Sequence, residues 1–107
     1  MIIDNAYGAP FPNVIFTETK PIWNENIILT LSLSKLGLPG TRTGIVIAKP
    51  EIIKAVASMT SIMGLANTNT GQAIAQPLIE NGEILRLSNE LVQPFYRGKS
   101  VQAQAWV

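Results

Sequence analysis

Lys35 stands in a frame that most surface lysines do not have. It follows the apolar run Ile27 to Ser32 (IILTLS) and lies in Ser32-Leu33-Ser34-Lys35-Leu36-Gly37-Leu38-Pro39-Gly40-Thr41-Arg42, a loop punctuated by glycine and proline. A lysine held by a rigid loop beside a buried strand loses solvation. Its amine then deprotonates more readily and can attack a carbonyl. Two hydroxyls, Ser32 and Ser34, precede it, and Arg42 follows seven residues later. Hydroxyls, backbone N–H groups and a guanidinium converging beside an amine suit an aldehyde that carries a phosphate. Pyridoxal 5′-phosphate is such a molecule.

What the chain lacks narrows the chemistry further. It has 107 residues, one small domain at most, with no Cys and no His. Disulfides, thiolate nucleophiles, Ser-His-Asp triads and His-ligated zinc are therefore excluded. Asp4 is the only aspartate, beside six glutamates, and the net charge of +1 leaves no basic footprint for nucleic acid or a membrane surface. No apolar run approaches the ~20 residues of a membrane span, and Met1 to Gly8 lacks the pattern of a signal peptide, so the expected location is the cytoplasm. Charged residues make up 14% of the chain, against roughly 25% in an average soluble domain. Part of the surface is therefore expected to pack on another lobe or subunit.

The elements that must position Lys35 are short. Ile2 to Asp4 reads as the tail of a buried strand, and Asn5 to Pro12 as a loop, because Gly8, Pro10 and Pro12 forbid regular structure. Ile27 to Ser32 and Gly44 to Ala48 (GIVIA) read as strands buried on both faces. No helix separates those two, which predicts an antiparallel pair. Pro50 and Glu51 open a helix over 50–63 that carries Ile52, Val56, Met59 and Met63 at helical spacing. A shorter helix is expected from about Gly71 to Ile79, broken at Asn81-Gly82. A last one begins near Glu83, with Ile84, Leu87, Leu91 and Phe95 along one face and a kink at Pro94. Residues 1–49 thus hold strands and cofactor loops, and residues 50–107 hold helices. Three short strands do not close a domain, so the expected object is a piece of a larger α/β protein.

The wording of two segments is familiar. Ser32 to Ile45 (SLSKLGLPGTRTGI) resembles the cofactor-lysine signature of the class I/II aminotransferases, pyridoxal-phosphate enzymes of fold type I. Ile2 to Pro12 (IIDNAYGAPFP) resembles the Asp-x-x-Tyr segment that precedes that lysine in the same family, and the valine–pyruvate subfamily is nearest in wording. The resemblance implies an α/β portion of the cofactor-binding large domain, with Lys35 as the Schiff-base lysine and proton shuttle. It implies Asp4 on the pyridine nitrogen, Tyr7 on the ring's phenolic oxygen, and Ser32, Ser34 and Arg42 on the phosphate. It also implies that Asn67 to Gly71 reaches a partner subunit's cofactor phosphate in a homodimer, that the substrates are an amino acid and a 2-oxo acid, and that no metal is used. Arg42 comes seven residues after Lys35 where many relatives have eight, which fits a shorter loop. The family's phosphate-binding helix end, ring-stacking aromatic and substrate-carboxylate arginine belong before Asp4 and after Val107.

Each residue also has a plainer role. Asp4 suits an Asx turn, Tyr7 packing, Arg42 a turn cap or surface ion pair, and Ser32 a strand-end hydroxyl. Asn67 to Gly71 suits helix capping, and Met59 and Met63 suit core or interface packing. Trp23 and Trp106 suit burial against absent lobes, and Glu83, Arg86, Glu90, Arg97 and Lys99 suit a solvated helix face. Three readings stand on this footing. They are a portion of a transaminase, a non-catalytic self-associating piece, and an unrelated anion-binding module that leaves Asp4 and Tyr7 unexplained. The first two predict self-association, because apolar surface made for other contacts is exposed. Light scattering is expected to show dimers or larger species, and a clean monomer across a wide concentration range would refute this.

Overall fold

The computed structural model describes residues 1–17, 19–66 and 68–106. Among them are three strands: β1 (Ile2–Asp4), β2 (Ile28–Ser32) and β3 (Gly44–Ile47), in the spatial order β1-β2-β3. Strand β2 alternates half-buried and buried residues, with Leu29 and Leu31 turned inward. Strand β1 runs parallel to it, pairing Ile2 with Ile28 and Asp4 with Thr30. Strand β3 runs antiparallel, pairing Ser32 with Gly44 and Leu29 with Ile47. The β2–β3 connection consists of two 3₁₀ turns, Ser34–Leu36 and Pro39–Thr41, with no crossover helix to carry the chain back to the start of β2, so the strand direction reverses.

Burial departs from expectation at both edges. Only β2 is covered as a core strand, while Ile2 is 70% exposed and Val46 and Ile47 are each 39% exposed. A three-stranded sheet has one central strand, so β1 and β3 are edges and keep solvent on their outer sides. The core is Phe11, Leu31, Leu33, Ala75 and Ile84, with Leu36, Leu38, Ile45 and Leu78 packed on it.

Helix α1 (Pro50–Gly64) starts at its proline with Glu51 in the first turn, but buries none of its residues. Ile52 is half-buried, while Val56, Met59 and Met63 of the expected apolar face lie open, and so do Trp23 and Trp106. Helix α2 (Thr70–Glu80) instead packs on the core through Gly71 and Ala75. Gly82, at φ 75°, takes the left-handed conformation that separates α2 from the next helix. A continuous helical run follows: α3 (Glu83–Leu87), a π turn (Ser88–Val92) and α4 (Gln93–Gln104). The π turn lies directly before Pro94 and widens the helix where a normal turn would clash with the ring. It also rotates the following residues. Ile84 and Ser88 are buried, whereas Leu91 and Phe95, expected on the same face, are both 60% exposed.

A long-range hydrogen bond fastens the proline loop to this helix. Ser88, fully buried, donates from Oγ to the Pro12 carbonyl at 2.9 Å. The Ala9–Pro10 and Phe11–Pro12 bonds are cis. On the outer face Arg86 bridges Glu83 and Glu90, and its hydrogen bond holds the Glu83 carboxyl below its ordinary pKa while raising its own. Arg97 and Lys99 are not simply solvated: they lie over the rings of Phe16 and Phe95, at 5.4 and 5.8 Å. No helix among the described residues is long and apolar enough to cross a membrane.

Leu33 has no exposed surface and sits in the middle of the core, whereas Leu91 is exposed. Leu33→Ala is expected to lower stability by about 2–5 kcal/mol, and Leu91→Ala by no more than about 0.5 kcal/mol. Urea unfolding midpoints compare the two directly, and equal midpoints would mean that Leu33 is not the core residue described.

Candidate functional site

The sheet brings three loops to one end. Asp4 closes β1, Ser32 closes the parallel β2, and Gly44 opens the antiparallel β3 opposite Ser32. The segments that carry Asp4 and Tyr7, Ser34 and Lys35, and Arg42 therefore all emerge beyond the carboxyl end of β2. Ligands of open α/β sheets commonly sit in such a place.

Backbone bonds hold the lysine loop in shape. The Leu33 N–H donates to the Thr43 carbonyl at 3.3 Å, and the Leu33 carbonyl accepts from Leu36 N at 3.1 Å and Leu38 N at 3.3 Å. Gly37, at φ 101°, ends the turn that bears Lys35, in a conformation that a side chain would oppose. Lys35 is half-buried, with Nζ 5.5 Å from the centre of the Tyr7 ring. The two line an open cavity of about 510 Å³ together with Phe16, Tyr96, Lys99 and Ser100.

Asp4 sits at an exposed strand end. Its Oδ1 accepts from Thr30 Oγ1 at 3.3 Å and from the Ala6 N–H at 3.1 Å, an Asx-type arrangement anchored by a neighbouring strand. The Ser32 Oγ accepts from the Ser34 N–H at 3.2 Å, so it stabilises its own loop. Arg42 is exposed and left-handed, at φ 48° and ψ 41°, a conformation uncommon outside glycine and found more often at functional positions. It lines a second cavity of about 280 Å³ with Thr41, Thr43, Thr68 and Gln72. The structure thus brings Lys35 and Tyr7 together and sets Arg42 in a different cavity. Asp4, Ser32 and Ser34 line neither.

Several lining residues were not foreseen. Tyr96, Lys99 and Ser100 come from α4, and no local signal ties them to Lys35. Thr68, within the stretch Asn67 to Gly71, lines the Arg42 cavity of this chain. Asn67 lies outside the described residues. The donor set fits pyridoxal phosphate by type: an amine for the aldehyde, a carboxylate for a pyridinium nitrogen, and a guanidinium among hydroxyls for the phosphate.

Comparison with known proteins bears on the family and the fold. The model of the family Aminotransferase class I and II matches residues 1–93. Valine–pyruvate aminotransferase of Escherichia coli is 51% identical over 96 residues, covering 90% of this chain and 23% of that protein. The crystal structure of valine–pyruvate aminotransferase from Salmonella typhimurium superposes with a TM-score of 0.89 at 50% identity, covering 97% of this chain and 27% of that one. A crystal structure from Psychrobacter arcticum, assigned as an amino-acid aminotransferase, gives a TM-score of 0.92 at 48% identity, covering 97% of this chain and 24% of that one. The chain therefore spans between 23% and 27% of the length of these relatives, and its mixed sheet and helices reproduce that part of their α/β fold. On the match over residues 1–93, the chain belongs to the class I and II aminotransferase family.

Proposed function

We propose that the chain forms the lysine-bearing portion of the cofactor site of a transaminase that moves an amino group between valine and pyruvate. The carrying observation is the placement of Lys35 Nζ over the Tyr7 ring, at the sheet end where Asp4 and Arg42 also emerge. The 51% identity to valine–pyruvate aminotransferase supports the substrate pair.

In this reading Lys35 would hold pyridoxal phosphate at its aldehyde carbon through Nζ, and its free amine would carry the substrate Cα proton as a general base. When bound, the cofactor supplies the electron sink for charge developing at that carbon. The Asp4 carboxylate accepts a hydrogen bond from the protonated ring nitrogen and keeps that proton in place, with Thr30 holding its orientation. The Tyr7 hydroxyl donates to the ring's phenolic oxygen. Arg42 grips the phosphate through its fork of donors, helped by Ser32 and, less directly, Ser34. Excess pyridoxal phosphate followed by borohydride is expected to label Lys35 ahead of Lys20, Lys49, Lys54 and Lys99, and Arg42→Ala to weaken that preference. Equal labelling of all five lysines would overturn the reading.

A second reading is favoured by the lining of the Lys35 cavity, which among the described residues includes no arginine to hold a substrate carboxylate. Here the 107-residue chain is inactive alone and associates with a second copy through the open apolar face of α1 and its C-terminal cap, where Met59, Ile62, Met63 and the capping Leu65 lie exposed. Catalysis needs several converging contacts on the substrate, and losing ~4 kcal/mol of them already slows turnover about a thousandfold. With valine, pyruvate and pyridoxal phosphate, the isolated chain is expected to form no alanine at a useful rate. Turnover near that of a complete aminotransferase, abolished by Lys35→Ala, would show instead that the assembled chain holds a working site.

A further inference from the structure

We propose that Gly71 is a positioning residue for Arg42, because the start of α2 presses on both neighbours of that arginine and leaves room for no side chain. The inference rests on the reading of Arg42 as a phosphate-binding residue. Gly71 is buried in the first turn of α2. A Cβ added there would run into Thr43 Oγ1 and lie 2.9 Å from Thr43 Cβ and 3.0 Å from Thr41 Cβ. Rotating the Thr43 side chain moves the hydroxyl out of the way. The two Cβ atoms move only with the backbone, and the residue between them is Arg42.

That backbone is held tightly. The Thr43 hydroxyl donates to the Thr41 carbonyl at 3.0 Å, closing a bond across Arg42. The Thr41 hydroxyl donates to the Leu38 carbonyl at 2.8 Å, and the Arg42 N–H donates to the Pro39 carbonyl at 3.4 Å. Within this frame Arg42 holds its left-handed φ of 48°. Thr68 and Gln72, on either side of Gly71 in sequence, line the Arg42 cavity, so the Gly71 contact also sets how closely that wall approaches the guanidinium. Gly40, in the same loop, makes a contrast, since a Cβ added there meets nothing within 4 Å. The close approach belongs to Gly71, and the aim of Arg42 is set by a residue 29 positions away.

The test compares two aldehydes that differ only in the phosphate. Lys35 of the full chain is labelled with pyridoxal phosphate or with pyridoxal, reduced with borohydride and quantified by peptide mass spectrometry. The unaltered chain is expected to favour pyridoxal phosphate, and Arg42→Ala to lose that preference by about tenfold, the scale of a charged hydrogen bond. Gly71→Ala is expected to match Arg42→Ala while leaving pyridoxal labelling unchanged, and Gly40→Ala to change neither. In a Thr43→Gly background, where two of the three close atoms are gone, Gly71→Ala is expected to cost less than twofold. If Gly71→Ala keeps the preference that Arg42→Ala loses, the positioning role is overturned and the phosphate reading stands. If its cost is the same in both backgrounds, or pyridoxal labelling falls in step, the residue is merely structural and the proposal fails. If the unaltered chain does not distinguish the two aldehydes, the phosphate reading itself fails and takes this inference with it.

Discussion

Burial of one leucine organises both chemistry-bearing loops. Leu33 directly follows the last residue of β2, and its side chain is closed off completely among Phe11, Leu31, Ala75 and Ile84. Its N–H reaches across to Thr43, and its carbonyl takes the N–H groups of Leu36 and Leu38. The side chain cannot leave the core without exposing apolar surface, and the backbone groups cannot be released without losing their partners. Lys35 is two residues further on and Arg42 is next to Thr43, so both inherit their positions from the same anchor.

Strand direction does the rest of the convergence. A parallel β1 and an antiparallel β3 flank β2, so the end of β1, the end of β2 and the beginning of β3 lie side by side. A parallel return from β1 to β2 and one reversal from β2 to β3 thereby place a carboxylate, an amine and a guanidinium at one end of the sheet. The loop that carries Tyr7 is closed independently, by Val14 N on the Tyr7 carbonyl at 2.9 Å and Asn13 N on the Gly8 carbonyl at 3.0 Å. Ser88 then holds the far end of that loop to the helical layer. Tyr7 is 50% exposed, yet the backbone on both sides of it is held.

Charge distribution marks the other side of the molecule. From Ala55 to Ile79 the sequence contains no charged residue, and the open face of α1 falls within this stretch. A solvated helix would ordinarily carry charge on such a face. From Ala55 onward α1 carries no charge, and its exposed methionines and isoleucine form the kind of open apolar surface that commonly marks an interaction site. The two cavities, by contrast, gather polar groups: Gln72 from α2, which packs on the core, and Tyr96, Lys99 and Ser100 from α4.

Much of this was written in local wording. The apolar run of β2, the Gly/Pro loop after it, the proline at the start of α1 and the break at Asn81-Gly82 each depend on neighbours within a few residues, where backbone preference decides. The family was legible for the same reason, because the motifs around Asp4 and Lys35 are contiguous. The tertiary structure decided what depends on two distant segments meeting. It left β1 and β3 as exposed edges, because burial depends on what packs against a strand and not on its own apolarity. It placed a π turn before Pro94, which turned Leu91 and Phe95 away from the face of Ile84. It separated Lys35 from Arg42 into two cavities and set Gly71 against Thr41 and Thr43. None of these contacts leaves a trace at either residue alone, since each comes from the packing of a helix on a sheet end and from the exclusion of overlapping atoms there.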